Sequence, residues 1–351
     1  MDQISSSFES DLLRIYENNL PWGELSGCNI LVTGSTGLIG GCLVDALMQN
    51  PNIDYHIYAS GRNEKRAMDR FGKFVDCKAF NFIRYDVLYP FDCNVDFDYI
   101  IHAASYASPN AFAQNPVEVI KSNIIGVSNL IEYGLAHRMK RFMYISSGEV
   151  YGEGDGRIFD EEYSGYVNCL KSRSCYPSSK RAAETLCVSY AKEYGADIVI
   201  ARPCHVYGPN FSENDNRVYA QFIRDVLNDS NIVMKSSGEQ FRSWCYVADC
   251  ISAILFIMLK GERGQAYNIA DYQSTISIKE LADMIAEIGK KTVKSVIPPK
   301  DESIGYNVVN KSVFSTAKLE ALGWSVEGSI KEKLEKTIQY ERAQKSYSRN
   351  F

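Results

Sequence analysis

Histidine and tryptophan are scarce in this 351-residue chain, at 4 and 3 copies, and no stretch of it is apolar for long. The longest apolar run, Ile251–Leu259 (ISAILFIML), falls far short of the ~20 residues a membrane-crossing helix needs. The 10 cysteines are scattered singly from Cys28 to Cys250, with no CxxC pair and no His/Cys cluster. That pattern excludes the disulfide framework of a small secreted domain and gives no metal site, so the thiols are expected to be reduced. The opening MDQISSSFESDLLRIYENNL is acidic and lacks an apolar centre, unlike a secretory signal, so a cytoplasmic location is expected. Positive charge is also in deficit: 38 Lys+Arg against 43 Asp+Glu give a net charge of −5. Nucleic acid and anionic membranes are therefore not expected partners, although a local basic pocket for a phosphate stays open. Internal repeats and low-complexity segments are absent too.

What is present is an ordinary globular composition, 45% hydrophobic and 23% charged. Short β-rich runs alternate with helical patterns through the first half. Strands are predicted at Asn29–Thr33, His56–Ala59, Ala79–Tyr85, Tyr99–His102, Arg141–Ser146 and Asp197–Ala201, with helices at Leu38–Gln49, Pro116–Ala136 and Ser178–Tyr194. Alternation on this scale predicts an α/β fold, a doubly wound parallel sheet with helices on both faces. After Arg202 the pattern turns to loops and shorter helices, where a smaller substrate-facing domain is expected. The expected organisation is an N-terminal helical extension over 1–26 (Phe8, Leu12, Leu13, Ile15, Tyr16), a nucleotide-binding domain over 27–203 and a substrate domain over 204–351. Segments such as 242–270 are expected to return to the first domain.

The segment ILVTGSTGLIGG (Ile30–Gly41) ends a strand in Gly34-x-x-Gly37-x-x-Gly40 and opens an apolar helix. The first glycine permits a tight turn, the second lets a pyrophosphate approach the backbone, and the third lets helix and strand pack closely. The helix N-terminus offers unpaired N–H groups to the anion. At the end of the second strand, where many NAD sites hold a carboxylate for the ribose hydroxyls, stands Ser60, followed by Arg62, Lys65 and Arg66. NAD and NADP both remain open. Asp86, after a later strand, suits the adenine amino group.

Tyr176-Pro-Ser-Ser-Lys180 places a phenol and an ammonium four apart, on one face of a helix. A lysine cation favours phenolate, so the expectation is a tyrosine pKa below its usual ~10 and a general base for a hydroxyl proton. Upstream, MYISSGEVYG (Met143–Gly152) ends a strand with Ser147 placed to share that proton.

Together these segments resemble the extended short-chain dehydrogenase/reductase family, the NAD-dependent nucleotide-sugar epimerases, dehydratases and decarboxylases. The resemblance extends through IIHAAS (Ile100–Ser105), SNIIGVSNL (Ser122–Leu130), ARPCHVYGP (Ala201–Pro209), RSWCYVAD (Arg242–Asp249), YNIA (Tyr267–Ala270) and LGW (Leu322–Trp324). It implies a Rossmann-type fold and a tightly bound, recycled NAD or NADP that oxidises a nucleotide-diphosphate sugar, usually at C4, with no metal. It implies a homodimer joined by a four-helix interface near Pro116–Ala136 and Ser178–Tyr194. The implied catalytic set is Ser147, Tyr176, Lys180 and Glu149. The implied cofactor set is Gly34, Thr36, Gly37, Leu38, Ile39, Gly40, Arg62, Asp86, Val87, Ala103, Ala104, Ser105, Asn123, Tyr176, Lys180, Pro203 and His205. The implied substrate set is Ser108, Lys121, Ser147, Gly148, Glu149, His205, Arg217 and Arg242, the last gripping the diphosphate.

Glu149 points within the family to the 4,6-dehydratases and UDP-glucuronate decarboxylases, where a glutamate here acts beyond C4. ASPNAFAQNPVEVIKSNIIG (Ala107–Gly126) and NRVYAQFI (Asn216–Ile223) look like the decarboxylases. Three positions depart: Phe112 replaces a tyrosine facing the sugar, His205 an asparagine and Asn210 an arginine. The stretch VVNKSVFSTAKLEALGW holds Lys311 where relatives often carry an arginine. Expected, then, is a lyase, a dehydratase or decarboxylase, ahead of a 4-epimerase or a plain nucleotide-sugar dehydrogenase.

Overall fold

The computed structural model describes residues 5–52, 54–213, 215–296 and 311–348; the first four residues of the N-terminal extension and Val308–Asn310 of the VVNKS stretch lie outside them. In chain order the strands are β1 (Asn29–Thr33), β2 (His56–Gly61), β3 (Phe80–Arg84), β4 (Tyr99–His102), β5 (Arg141–Ile145), β6 (Ile198–Pro203), β7 (His205–Tyr207), β8 (Ile232–Met234), β9 (Phe241–Tyr246), β10 (Ala266–Ile269), β11 (Asp271–Ser277), β12 (Val293–Ser295) and β13 (Lys311–Ser312). The helices are α1 (Ser5–Leu13), α2 (Leu38–Met48), α3 (Glu64–Phe71), α4 (Pro109–Gln114), α5 (Pro116–Ala136), α6 (Cys175–Glu193), α7 (Val218–Leu227), α8 (Val247–Lys260), α9 (Ile278–Gly289), α10 (Ala317–Glu320) and α11 (Ile330–Ser348).

Seven strands form one parallel sheet in the order β10-β6-β5-β4-β1-β2-β3. Its strands are β-branched and aliphatic, and successive side chains point to opposite faces. Ile30, Val32, Ile57, Ala59, Met143 and Val199 face one apolar layer, packed under α2 and α8. Leu31, Ile100, Phe142, Tyr144, Ile198 and Ile200 face the other, under α5 and α6. This is the Rossmann-type doubly wound arrangement that strand–helix alternation predicts. The longest apolar run accordingly lies in α8, where Ile251–Leu259 is buried throughout rather than set in a membrane. No helix among the described residues is long and apolar enough to cross a bilayer.

A second sheet centres on β9, flanked by antiparallel β11 and by parallel β13 and β7, while β8 pairs with β12. Strand β10 thus returns to the large sheet after β9 has joined the small one. In the N-terminal extension Phe8, Leu12 and Ile15 are buried against the body and Tyr16 donates to the Ala46 carbonyl at 2.7 Å; Leu13 instead faces solvent. Helix α6 begins at Cys175, earlier than predicted, because Pro177 sits in its first turn, where a missing N–H costs no helical bond.

Candidate active site

The chain leaves β1 for β2 and β3 on one side, then returns to β4 on the other, so the strand order switches between β1 and β4. Ligand crevices open at such points, beyond the C-terminal ends of the strands. Here the crevice is a cleft of about 240 Å³, open to solvent, and Gly34, Thr36, Gly37, Arg62, Asp86, Val87, Ala103, Ala104 and Ser105 line it. Gly34 has φ +68°, and a Cβ on it would meet the Ala103 and Ala104 backbone at 2.6 Å. A Cβ on Gly40 would lie 2.4 Å from the Gly34 carbonyl oxygen. The turn closes only because both lack side chains, and it brings bare backbone and the N-terminus of α2, with Leu38 and Ile39 in its first turn, to the cleft. These features suit a dinucleotide, whose pyrophosphate needs backbone donors at close approach.

Ser105, after β4, donates to Asn123 Oδ1 at 2.8 Å, and Asn123 Nδ2 donates to Ser179 Oγ at 2.9 Å. Fully buried Asn123 thereby ties the end of β4 to the helix that carries Tyr176 and Lys180. Ser147 caps a short helical turn, its Oγ accepting from the Glu149 N–H at 3.2 Å, and it also hydrogen-bonds the Tyr176 phenol. Ser147, Glu149, Tyr176 and Lys180 therefore meet at one place. Gly148 between them admits the Phe314 ring, which a Cβ would strike at 2.0 Å.

The expected lowering of the tyrosine pKa is not what this geometry gives. Tyr176 is 6% exposed, and burial and the Glu149 charge push its pKa above the ordinary value, with only the Ser147 hydrogen bond and the Arg173 and Arg217 charges opposing. Lys180 bears the same cost: burial pushes its pKa down to about 7, against the pull of Glu184. Its Nζ donates to the Ile145 carbonyl at 2.8 Å and lies nearer the Tyr144 ring, 4.6 Å, than that of Tyr176, 5.7 Å. Desolvation outweighs the pair attraction that spacing alone suggested.

One residue that pattern analysis did not place in the site completes it. Arg173 grips Glu149 with two parallel bonds of 3.0 and 2.8 Å. Its guanidinium lies 4.6 Å over the Phe112 ring, which stacks on Tyr176 at 4.5 Å. Only the position of Arg173 just upstream of the Tyr-x-x-x-Lys motif hints at this in the sequence.

The other substrate candidates come from several elements, and Arg217 and Arg242 place their charges near Tyr176 and Glu149. Arg242 is 5% exposed, makes no carboxylate pair among the described residues and donates to the Phe241 carbonyl at 2.9 Å. Burial pushes its pKa down to about 10, with Glu149 opposing. Arg217 is bound by Asp215, from Nε at 2.9 Å, and by the Tyr219 hydroxyl at 3.0 Å. His205, in β7, sits 5.3 Å from the Trp244 ring and is exposed, and the charges of Arg242 and Arg217 oppose its protonation. Pro203 ends β6 just before it. Ser108 caps α4, and Lys121 is exposed on α5. No cluster of three or more metal-ligating side chains occurs among the described residues.

Comparison with known proteins fits this geometry. The profile of the NAD dependent epimerase/dehydratase family matches residues 30–270. The chain belongs to that family. It is 36% identical to the UDP-glucuronic acid decarboxylase 6 of Arabidopsis thaliana, over 88% of this chain and 87% of the plant protein. It is 32% identical to the UDP-glucuronic acid decarboxylase 1 of Xenopus tropicalis, over 92% and 74%. Among solved structures it is similar to the UDP-glucose 4-epimerase of Thermotoga maritima with UDP-glucose, with a TM-score of 0.76, 25% identity and coverage of 90% and 99%. The dTDP-glucose 4,6-dehydratase of Bacillus anthracis in complex with NAD shares the fold, with a TM-score of 0.76, 21% identity and coverage of 92% and 98%. The family makes this chain an NAD-dependent enzyme.

Proposed function

We propose that the protein modifies a nucleotide-diphosphate sugar through a C4-keto intermediate and then eliminates from it, as a 4,6-dehydratase or a decarboxylase. The observation that carries this reading is the position of Glu149: a carboxylate on the same turn as Ser147, beside Tyr176, that oxidation alone does not need. The glycine turn, the Asp86 edge and the Asn123 tie suit a tightly held NAD or NADP, which when bound accepts hydride from the sugar and returns it. Ser147 and Tyr176 hold the C4 hydroxyl between them, and Tyr176 takes its proton in the phenolate form, which the site must favour once cofactor and sugar are bound. A ketone at C4 acidifies the C5–H bond. In a dehydratase the Glu149 carboxylate takes that proton as the C6 hydroxyl leaves as water, whereas in a decarboxylase the C5–C6 bond itself breaks, carbon dioxide leaves and C5 takes a proton. Arg242, buried and free of any carboxylate among the described residues, suits the diphosphate. Assembly as a homodimer is part of this proposal, supported by the exposed apolar residues Val117, Ile120 and Ile125 on α5 and Val188 on α6. So is a cytoplasmic setting.

The Arg173 fork favours a second reading, in which Glu149 is held as a structural ion pair and the enzyme is a 4-epimerase. Mass spectrometry after incubation with UDP-, dTDP-, GDP- and CDP-hexoses and UDP-glucuronate, without added cofactor, separates the two. Loss of water or carbon dioxide supports the lyase; a product of unchanged mass but inverted C4 supports the epimerase.

A further inference from the structure

Strand β2 lies between β1 and β3 in the sheet. A dinucleotide with its pyrophosphate on the turn after β1 and its adenine at Asp86, after β3, therefore carries its adenosine ribose across the end of β2. The residues lining the cleft there are Ser60, Gly61 and Arg62, with Arg66 in the first turn of α3. Ser60 is among the residues lining the cleft, yet it is 1% exposed and its buried Oγ has no hydrogen-bond partner. A buried hydroxyl left unpaired is costly, and a turn of this side chain towards the cleft lets a ligand oxygen restore its bond.

Arg62 is exposed, with Nη1 donating to the Tyr106 hydroxyl and the guanidinium 4.8 Å over the Tyr106 ring. That contact fixes the plane of the guanidinium at the cleft wall while Nε and Nη2 stay free for an acceptor. Neither Arg62 nor Arg66 pairs with a carboxylate among the described residues. A carboxylate at position 60 would accept both ribose hydroxyls and repel a phosphate; a serine does neither.

We propose that the cleft selects the 2′-phosphorylated dinucleotide, NADP, with the phosphate held by Arg62 and Arg66 and its oxygen meeting the Ser60 hydroxyl. The inference rests on the dinucleotide reading above. Family membership establishes the cofactor class, whereas the residues at the 2′ position are this chain's own.

The test is calorimetric binding of NADP, NAD, 2′,5′-ADP and 5′-ADP to the full chain stripped of nucleotide, beside Arg62→Ala and Ser60→Asp. Charge-assisted bonds of this kind predict NADP binding about 10- to 100-fold tighter than NAD, with 2′,5′-ADP favoured likewise over 5′-ADP. Arg62→Ala should bring the ratio to within a few-fold, by a loss of NADP affinity larger than any loss of NAD affinity, and Ser60→Asp should favour NAD. NAD binding as tightly as NADP, or a preference for NADP that survives Arg62→Ala, overturns this assignment and leaves the dinucleotide reading intact. Binding of neither dinucleotide overturns both.

Discussion

Arg173 holds Glu149 by two parallel bonds, 3.0 and 2.8 Å, while its guanidinium rests on Phe112 and Phe112 on the Tyr176 ring. The proposed base and the proposed proton acceptor are thus linked through one cation and one ring. Both members of the ion pair keep about a quarter of their side-chain surface exposed, 28% and 27%, so the pair adds little stability and acts chiefly by orienting the carboxylate. Arg173→Ala is expected to lower kcat for the elimination about 10- to 100-fold with little change in KM, and Arg173→Lys, charged but without the fork, to fall between. Steady-state kinetics with a pH profile checks this; a change confined to KM would place Arg173 on the substrate instead.

Glu149→Gln keeps the size of the side chain and removes the base. The variant should still oxidise the sugar, seen as reduced-nicotinamide absorbance that builds up, and should lose elimination about 100-fold or more. Tyr176→Phe should lose both steps. If Glu149→Gln turns over at the wild-type rate, the glutamate belongs to the Arg173 pair alone.

Phe112 is 4% exposed and packed between the guanidinium and Tyr176. Phe112→Ala should cost about 3–5 kcal/mol of stability, as expected for an emptied aromatic site, and lower activity by loosening both neighbours. Phe112→Leu should recover most of the stability in denaturant titrations without restoring the rate, since a leucine fills volume but offers no face to Tyr176 or Arg173.

These contacts mark the boundary of what the chain discloses before it folds. The Gly34–Gly40 turn was legible because only a residue without Cβ closes it, and Pro116–Ala136 was placed to both ends because proline at a helix start is a local signal. The Tyr176–Lys180 pair was legible as a spacing, but its electrostatics were not, since burial sets both pKa values and burial belongs to the whole fold. Phe112 showed in the sequence as the loss of a phenol. Its gain, a surface shared by Arg173 and Tyr176, exists only after α4, α6 and the Glu149 turn have come together.

Lys180 gives a pH dependence of stability with a definite sign. Its folded pKa, about 7, lies below its ordinary value of 10.5, so the unfolded chain binds the extra proton between those limits. Stability then rises with pH across that window, and the full penalty is present below about 7. Lys180→Met removes the titrating group. The cofactor-free variant should gain melting temperature over the wild type at pH 7 and lose that advantage towards pH 10.5, with other titrating groups cancelling in the difference.

Glu341 titrates with the opposite sign. It projects from α11 and accepts from the Asn210 N–H at 2.7 Å, while Tyr340 donates to Asn210 Oδ1 at 3.2 Å. Asn210 has φ +66°, a left-handed conformation that asparagine tolerates. Burial pushes the Glu341 pKa up from 4.5 to about 7, so the folded state keeps its proton longer than the unfolded chain, and stability falls as pH rises through that range. Glu341→Gln keeps an acceptor for the Asn210 N–H and abolishes the charge. Melting curves should show this variant more stable than the wild type at pH 8 and equal to it near pH 4, whereas Glu341→Ala, which leaves the Asn210 N–H unpaired, should be the less stable at both. A Gln variant that is destabilised at pH 8 would mean that the ionised carboxylate is held by the nearby Arg70 and Arg224 charges more strongly than burial penalises it.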